Sequence, residues 1–167
     1  MLTGEKSIDN TLFIDEDGKA YLFFDRFNDG LNIWGAELNE DLQSLRKETM
    51  YPCIHVSQEW EEVWPRVNEG AFVIRHKGIY YMTYSANSYE SPYYGIGCAT
   101  AENIKGPWVK YADNPLLQQT AGMVGIGHSA LFTDKEGKLR IVFHAHWSAE
   151  EIHPRTCLLY TSPSPRD

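Results

Sequence analysis

Three segments of the chain align with one another without gaps, and this internal repeat constrains the fold more than any other feature. They begin at Asp9, Glu69 and His128 and read DNTLFIDEDGKAYLFF, EGAFVIRHKGIYYMTY and HSALFTDKEGKLRIVF. Each segment has a polar residue, an apolar pair, a glycine nine residues after the polar residue, and then a run rich in β-branched and aromatic residues. A period of about sixty residues indicates a repeat architecture.

Each repeat predicts a small antiparallel sheet. The first strands are LFI, FVI and LFT, and the turns are DEDG, RHKG and DKEG, whose glycine can take a positive φ. The second strands are AYLFF, IYYMTY and LRIVF, and the third are NIWGAEL, YYGIGCA and PRTCLL. Repeating sheets of this kind pack as blades of a β-propeller, or alternatively as a sandwich of unrelated hairpins. We predict an all-β chain with about three propeller blades.

The propeller predicts where the three polar residues lie. The innermost strand of each blade lines the central channel, so we expect Asp9, Glu69 and His128 to share one pocket. A propeller needs at least four blades to close. We therefore expect an N-terminal portion of the domain to be missing from this chain.

Two carboxylic acids in one pocket suit the cleavage of glycosidic bonds, where one group protonates the leaving oxygen. Glu69 is the better candidate acid, because Gly70 leaves room for a ligand and a nearby Asp9 carboxylate would raise its pKa. Alternatively, Asp9 and Glu69 are polar turn residues at strand starts. His128, flanked by glycines, is either a structural histidine or faces a metal, water or the sugar.

Sugar sites also need aromatic platforms, and the sequence offers several. Trp64 precedes Glu69 by five residues and is predicted either to contact the sugar or to pack within its loop. The loop SANSYESPYY is aromatic and polar, as binding loops often are. His144 and His146 alternate on a predicted strand, so a zinc pair is an alternative function for them.

Composition and charge exclude other classes. A net charge of −8 without a Lys or Arg cluster argues against a nucleic-acid partner. No run approaches the roughly 20 apolar residues of a bilayer span, and the first residues lack the apolar core of a secretory signal. The three cysteines are predicted to be small buried residues, with one disulfide left open. We expect a catalytic domain over residues 1–157 and a disordered or foreign tail over 158–167.

Four motifs resemble family 43 glycoside hydrolases: SIDNTLFIDEDGKAYLFF, VNEGAFVIRHKGIYYMTYSAN, GCATAENIKGPWVKY and GIGHSALFTDKEGKLRIVFHAHW. The resemblance implies a five-bladed propeller that cleaves arabinose- or xylose-containing plant polysaccharides or oligosaccharides with inversion. It implies that Glu69 is the general acid and that Asp9 orients it and raises its pKa. It also implies that Arg155 contacts the sugar and that His128 lies near a water-bound cation, commonly calcium. No cofactor is implied for the chemistry itself.

The resemblance fails at two points. The family's general base is an aspartate in the first blade, which no part of this chain matches, and Asp9 fits the orienting aspartate instead. The tail TSPSPRD does not continue into a final blade. A non-catalytic carbohydrate-binding propeller is therefore the rival interpretation, with a protein-interaction scaffold as a third. Polymeric plant substrates favour an extracellular or periplasmic location, whereas short oligosaccharides are also cleaved in the cytoplasm.

Overall fold

The computed structural model describes residues 6–63 and 66–160, which form eleven strands. The strands are β1 Ser7–Ile14, β2 Ala20–Phe27, β3 Leu31–Glu37, β4 Tyr51–Ile54, β5 Asn68–His76, β6 Ile79–Ala86, β7 Gly95–Ala101, β8 Val109–Lys110, β9 Gly127–Thr133, β10 Leu139–Ala145 and β11 Thr156–Tyr160. Two short 3-10 turns, Lys47–Thr49 and Glu59–Glu61, are the helical elements of the described residues. None of the described helical segments is of a length and apolarity suited to spanning a membrane.

The strands form three antiparallel sheets in chain order. The sheets follow the orders β1-β2-β3-β4, β5-β6-β7-β8 and β11-β10-β9. The hairpin turns contain Gly18, Gly78 and Gly137, with φ of 82°, 83° and 76°. These positive values are costly for side chains with a Cβ, so glycine suits all three turns. The predicted strands and turns are confirmed.

The first strands of the three sheets lie side by side. Strand β1 contacts β5, and β5 contacts β9. The sheets are therefore arranged as consecutive blades with their innermost strands adjacent, which confirms the all-β architecture of about three propeller blades. This arrangement brings the starts of β1, β5 and β9 to one place.

Apolar side chains between neighbouring blades hold the inner strands in position. The core between the first and second blades includes Phe23, Ile33, Val73, Met82, Tyr84 and Trp108. A smaller cluster between the second and third blades contains Ile96, Ile126, Phe143 and Ala145. Burying such a side chain contributes roughly 1.5–3 kcal/mol, so these clusters fix how the blades pack against each other.

A buried ion pair lies beside the start of β5. Glu61 is fully buried and forms a 2.6 Å ion pair with Lys110, whose side chain is 8% exposed. The Lys110 ammonium also donates to Oδ1 of Asn68 at 2.8 Å, and the Tyr84 hydroxyl donates to Glu61 at 2.7 Å. Because Asn68 directly precedes Glu69, this network anchors the backbone that carries the candidate acid.

The last strand corrects two expectations. Strand β11 pairs with β10 along its whole length, and Leu158 packs against the cluster between the second and third blades. Residues 158–160 are therefore part of the last sheet and not of a disordered tail, and residues 161–167 lie outside the described residues. All three cysteines are free, but Cys53 and Cys98 are only partly buried and Cys157 is exposed. The prediction that all three are buried was wrong for Cys157, which lies on an edge strand.

Candidate active site

Each innermost strand contains a β-bulge near its start. The bulges consist of Asp9 and Asn10 in β1, Gly70 and Ala71 in β5, and His128 and Ser129 in β9. The first residue of each has positive φ, with 56° for Asp9, 62° for Gly70 and 51° for His128. Glu69 therefore lies one residue before the bulge, so its backbone position differs from those of Asp9 and His128. The gap-free sequence alignment was wrong by one residue here, because the second hairpin turns over residues 77–78 whereas the first turns over residues 15–19.

Two of these bulge residues are strained. A left-handed conformation costs a residue with a Cβ roughly 1–2 kcal/mol, whereas Gly70 adopts it freely. Asp9 and His128 nevertheless adopt it. Bulges re-aim side chains next to active sites, and backbone strain of this kind concentrates where function requires it. The strain therefore marks Asp9 and His128 as residues whose side-chain direction matters.

The expected convergence is present, and it includes a third carboxyl group. Side-chain oxygens of Asp9, Asp25 and Glu69 all lie within 4.8 Å of one another. The backbone N–H of Gly70 donates a 3.1 Å hydrogen bond to Oδ2 of Asp25. Burial, followed by the negative charge of Asp9, raises the pKa of Asp25 to about 10. Both effects favour the protonated form of Asp25.

The surroundings of Glu69 favour its protonated form. Burial raises its pKa above the ordinary value, and the negative charge of Asp9 adds to this effect. The hydroxyl of Tyr94 donates a 2.6 Å hydrogen bond to Oε1 of Glu69, and this bond, together with the charge of Arg155, partly offsets the rise. A raised pKa is what a general acid needs at neutral pH.

The His128 ring packs over the backbone of Gly70 and lies near Asp9. Its Nδ1 atom lies 3.9 Å from Oδ2 of Asp9, and a Cβ atom built on Gly70 would lie 3.3 Å from the same nitrogen. Its backbone N–H donates a 2.8 Å hydrogen bond to Oγ of Ser85. The lack of a side chain at Gly70 therefore makes room for the His128 ring.

His144 links this cluster to Arg155. Its ring stacks on that of His128 with centroids 6.1 Å apart, and on that of Tyr94 at the same separation. One guanidinium nitrogen of Arg155 lies 2.9 Å from Nε2 of His144. Burial and the charge of Arg155 lower the pKa of His144 to about 4, so the neutral ring accepts this hydrogen bond.

The alternative zinc pair does not form. Nε2 of His144 faces the Arg155 guanidinium, and Nε2 of His146 lies 2.8 Å from the carbonyl oxygen of Tyr89. His146 also follows the end of β10, so the strand alternation that would align the two rings does not continue to it. Each ring therefore has a different partner within the described residues.

The calcium implied near His128 would be bound through water, and it stays a prediction. Calcium prefers six to eight oxygen ligands. In residues 6–63 and 66–160, the carboxylate recorded beside the His128 ring is that of Asp9, at 3.9 Å, and the other neighbours are the His144 ring and Gly70. A cation among the three carboxyl groups would favour ionised Glu69, against the effect of burial. We assign no chemical step to a metal.

Arg155 lies next to an aromatic surface. Its guanidinium carbon is 5.3 Å from the ring centroid of Tyr89, which is 40% exposed. The ring of His153 lies 6.4 Å from the same ring. Trp64, the platform expected from the sequence, lies outside the described residues. Tyr89, in the loop SANSYESPYY, is therefore the exposed aromatic residue beside Arg155 in the described part of the chain.

The sequence interpretation missed Asp25, Ser85 and Tyr94. The repeat contains a second polar position, sixteen residues after the first in all three segments. This position is occupied by Asp25, Ser85 and His144. This signal was available from the sequence. Tyr94 has no such signal, because its ring reaches the site by packing against Gly127, where a Cβ atom would overlap it.

The chain matches one protein family over nearly its whole length. The family model described as "Glycosyl hydrolases family 43" matches residues 1–160. A solved structure of an endo-1,4-β-xylanase from Bacteroides thetaiotaomicron is 49% identical with a TM-score of 0.92, over 95% of this chain and 55% of that one. The β-D-galactofuranosidase xynD of Aspergillus niger is 27% identical over 93% of this chain and 42% of its own length. An extracellular exo-α-(1→5)-L-arabinofuranosidase of Streptomyces avermitilis is 34% identical over 51% of this chain and 19% of its own.

Proposed function

This chain belongs to glycosyl hydrolase family 43, and we propose that it supplies the proton-donating part of a glycosidase active site. It spans about half the length of the Bacteroides xylanase and of the Aspergillus galactofuranosidase, so the activity of a whole protein is part of the proposal. The observation that carries it is the environment of Glu69, a buried carboxyl group with a raised pKa, hydrogen-bonded to Tyr94 and close to Asp9.

In the proposed reaction, Glu69 protonates the oxygen of the leaving group while water attacks the anomeric carbon from the opposite face. The Asp9 carboxylate keeps the Glu69 proton in place before transfer and orients the acid. Inverting enzymes keep their two catalytic carboxyl groups about 6.5–9.5 Å apart. Asp9 and Asp25 lie within 4.8 Å of Glu69, so both are too close to leave room for the water. Neither of them therefore fits the general base, which the proposal places in a part of the protein outside the described residues.

We propose that the substrate is an arabinose- or xylose-containing plant polysaccharide or oligosaccharide. The names of the relatives, which include a xylanase and an arabinofuranosidase, support this class. Arg155 would donate to sugar hydroxyls, and the exposed Tyr89 ring beside it would pack on the apolar face of a sugar. A polymeric substrate and the extracellular arabinofuranosidase relative both favour an extracellular or periplasmic location.

A non-catalytic carbohydrate-binding role is the second candidate. It is favoured by one observation: Asp9 and Asp25 both lie too close to Glu69 to activate an attacking water, so a sugar held beside these three groups would meet a proton donor without an activated nucleophile. Binding without turnover would then be the whole activity of the chain as it stands.

A chimaera separates the two candidates. The chain is joined to the part of the Bacteroides xylanase that its match leaves uncovered, and aryl xylosides and arabinofuranosides are assayed with the chimaera and with the chain alone. We expect turnover by the chimaera and none by the chain alone. A chimaera that binds xylo- or arabino-oligosaccharides in calorimetry but turns over no aryl glycoside would support the binding role.

A further inference from the structure

Asp25 is a carboxyl group in the middle of a sheet. It is 0% exposed, and its neighbours across the first blade are Ile8 of β1 and Ile33 of β3. The groups that perturb its ionisation most are the carboxyl groups of Asp9 and Glu69 and the N–H of Gly70. An ionised carboxylate in such a place is strongly unfavourable without a cation. The position therefore favours a neutral carboxylic acid.

The two oxygens of Asp25 differ in their partners. Oδ2 accepts the hydrogen bond from the N–H of Gly70 at 3.1 Å. Oδ1 is buried and receives no hydrogen bond from the described residues. The groups that face the carboxyl are Asp9 from β1 and Glu69 from β5, and His128 from β9 lies beyond Asp9. An oxygen that faces other carboxyl groups can form a hydrogen bond with them when it carries a proton and donates it to one of their oxygens.

We propose that Asp25 is a protonated carboxylic acid that donates a hydrogen bond from Oδ1 to the Asp9 carboxylate and thereby holds Asp9 in position beside Glu69. Asp25 is a positioning residue, since it acts through Asp9 and not on the substrate. The chain thus contains a hydrogen-bonded series from the N–H of Gly70 through Asp25 to Asp9. The value of this arrangement for catalysis rests on the proposed function, but the protonation state of Asp25 does not.

Burial and electrostatics agree with this assignment. Asp25 is the more buried of the pair, because the Asp9 side chain is 21% exposed and has His128 as a neighbour. The proton therefore belongs on Asp25 and the negative charge on Asp9. Burial first, and the Asp9 charge second, raise the pKa of Asp25, as expected for a carboxylic acid that keeps its proton through neutral pH.

Carbon-13 NMR of the chain labelled at its aspartate carboxyl carbons tests the protonation state without substrate. The Asp25 signal is assigned by its loss in Asp25→Asn and followed from acidic to alkaline pH, with and without calcium. We expect the Asp25 signal to keep the chemical shift of a protonated acid through neutral pH. We also expect that adding calcium does not change this shift. A titration near the ordinary value of about 3.9, or a calcium-induced loss of the proton, would overturn the proposal.

A pair of variants tests the positioning role. Asp25→Asn keeps a donor toward Asp9 and an acceptor for the Gly70 N–H, whereas Asp25→Leu has similar size and neither group. At neutral pH, we expect Asp25→Leu to move the Asp9 carboxyl carbon shift and Asp25→Asn to move it much less. Equal shifts in both variants, or none in either, would contradict the assignment. If Asp25→Leu does not fold, Asp25→Ala replaces it, and the same outcomes support or contradict the assignment.

Kinetics of the chimaera add a separate readout. We expect kcat to stay within about threefold in Asp25→Asn and to fall about tenfold or more in Asp25→Leu with little change in KM, since a hydrogen bond to a charged group is lost. Wild-type kcat in a folded Asp25→Leu chimaera would overturn the positioning role. Because the NMR measurements need no turnover, a chimaera without activity would count against the proposed function and leave the Asp25 result standing.

Discussion

The hydroxyl group of Tyr94 donates a 2.6 Å hydrogen bond to Oε1 of Glu69 in a pocket where Tyr94 itself is only 1% exposed. The bond favours the ionised form of Glu69, whereas burial favours the protonated form, and burial is the larger effect. Glu69 is thus both held in one orientation and kept protonated. Loss of the Tyr94 hydroxyl should therefore raise the pKa of Glu69 further, and this change can be measured.

Tyr94→Phe should move the alkaline limb of the pH profile of the chimaera to higher pH. This limb reports loss of the Glu69 proton, and removal of the Tyr94 hydrogen bond raises the Glu69 pKa further. The measurement is kcat/KM against pH for an aryl xyloside or arabinofuranoside. Tyr93→Phe is the matched control, because Tyr93 is 43% exposed. An alkaline limb that stays in place or moves to lower pH would show that the bond does not act on the acid.

Arg155→Met should raise the pKa of His144 from its value of about 4, because the nearby guanidinium charge is removed while the burial remains. Proton–nitrogen NMR of the imidazole in the chain alone measures this titration. Arg140→Met is the control, since Arg140 lies on the same strand as His144 but pairs with Asp134 at 2.5 Å. If the His144 titration is the same in both variants, Arg155 does not contact the ring in solution.

Asp25→Asn should stabilise the fold increasingly as pH rises. The folded-state pKa of Asp25 lies above its unfolded value, so its contribution to stability is intact below about pH 4 and is lost as pH rises toward about 10. The asparagine variant does not titrate, and at neutral pH its gain should reach a few kcal/mol, given about 1.4 kcal/mol per pH unit. Urea unfolding at pH 4 and pH 8 measures the difference. An equal effect of the substitution at both pH values would contradict a buried neutral acid.

Lys110→Met should lower the free energy of unfolding by about 3–5 kcal/mol, because it leaves the buried Glu61 without its cation. Lys105→Met is the matched control. Its ammonium pairs with Glu37 at 2.6 Å, but Lys105 is 46% exposed, so its loss should cost at most about 1 kcal/mol. Chemical unfolding compares the two variants. Similar losses would mean that the Glu61–Lys110 network does not stabilise the start of β5.

Most of the fold could be predicted from the repeat. Alternating and aromatic-rich runs around Gly18, Gly78 and Gly137 specify hairpins, and their equal spacing specifies blades. The predicted strand PRTCLL overlaps β11, but the domain boundary expected at residue 157 cut through that strand, because its last residues are followed directly by a segment rich in Ser and Pro.

The site was only partly predictable. Asp9 and Glu69 could be brought together by repeat phase, but the one-residue offset between them depends on the different turn lengths of the first two hairpins. Asp25 could have been found, because an acidic residue ends the apolar run AYLFF at the phase that His144 occupies in the third repeat. Tyr94 could not, since its approach to Glu69 depends on how the loop before β7 packs on Gly127.

The dependence of rate on the leaving group tests the role of Glu69 most directly. The rates of wild-type and Glu69→Gln chimaeras are measured for aryl glycosides whose phenols range from strongly to weakly acidic, with Glu62→Gln at an exposed position as the control. We predict that Glu69→Gln loses roughly 10²–10⁴-fold for weakly acidic phenols and little for strongly acidic ones, which leave without a proton. A loss of the same size for every leaving group, or no loss at all, would contradict the assignment of Glu69 as the general acid.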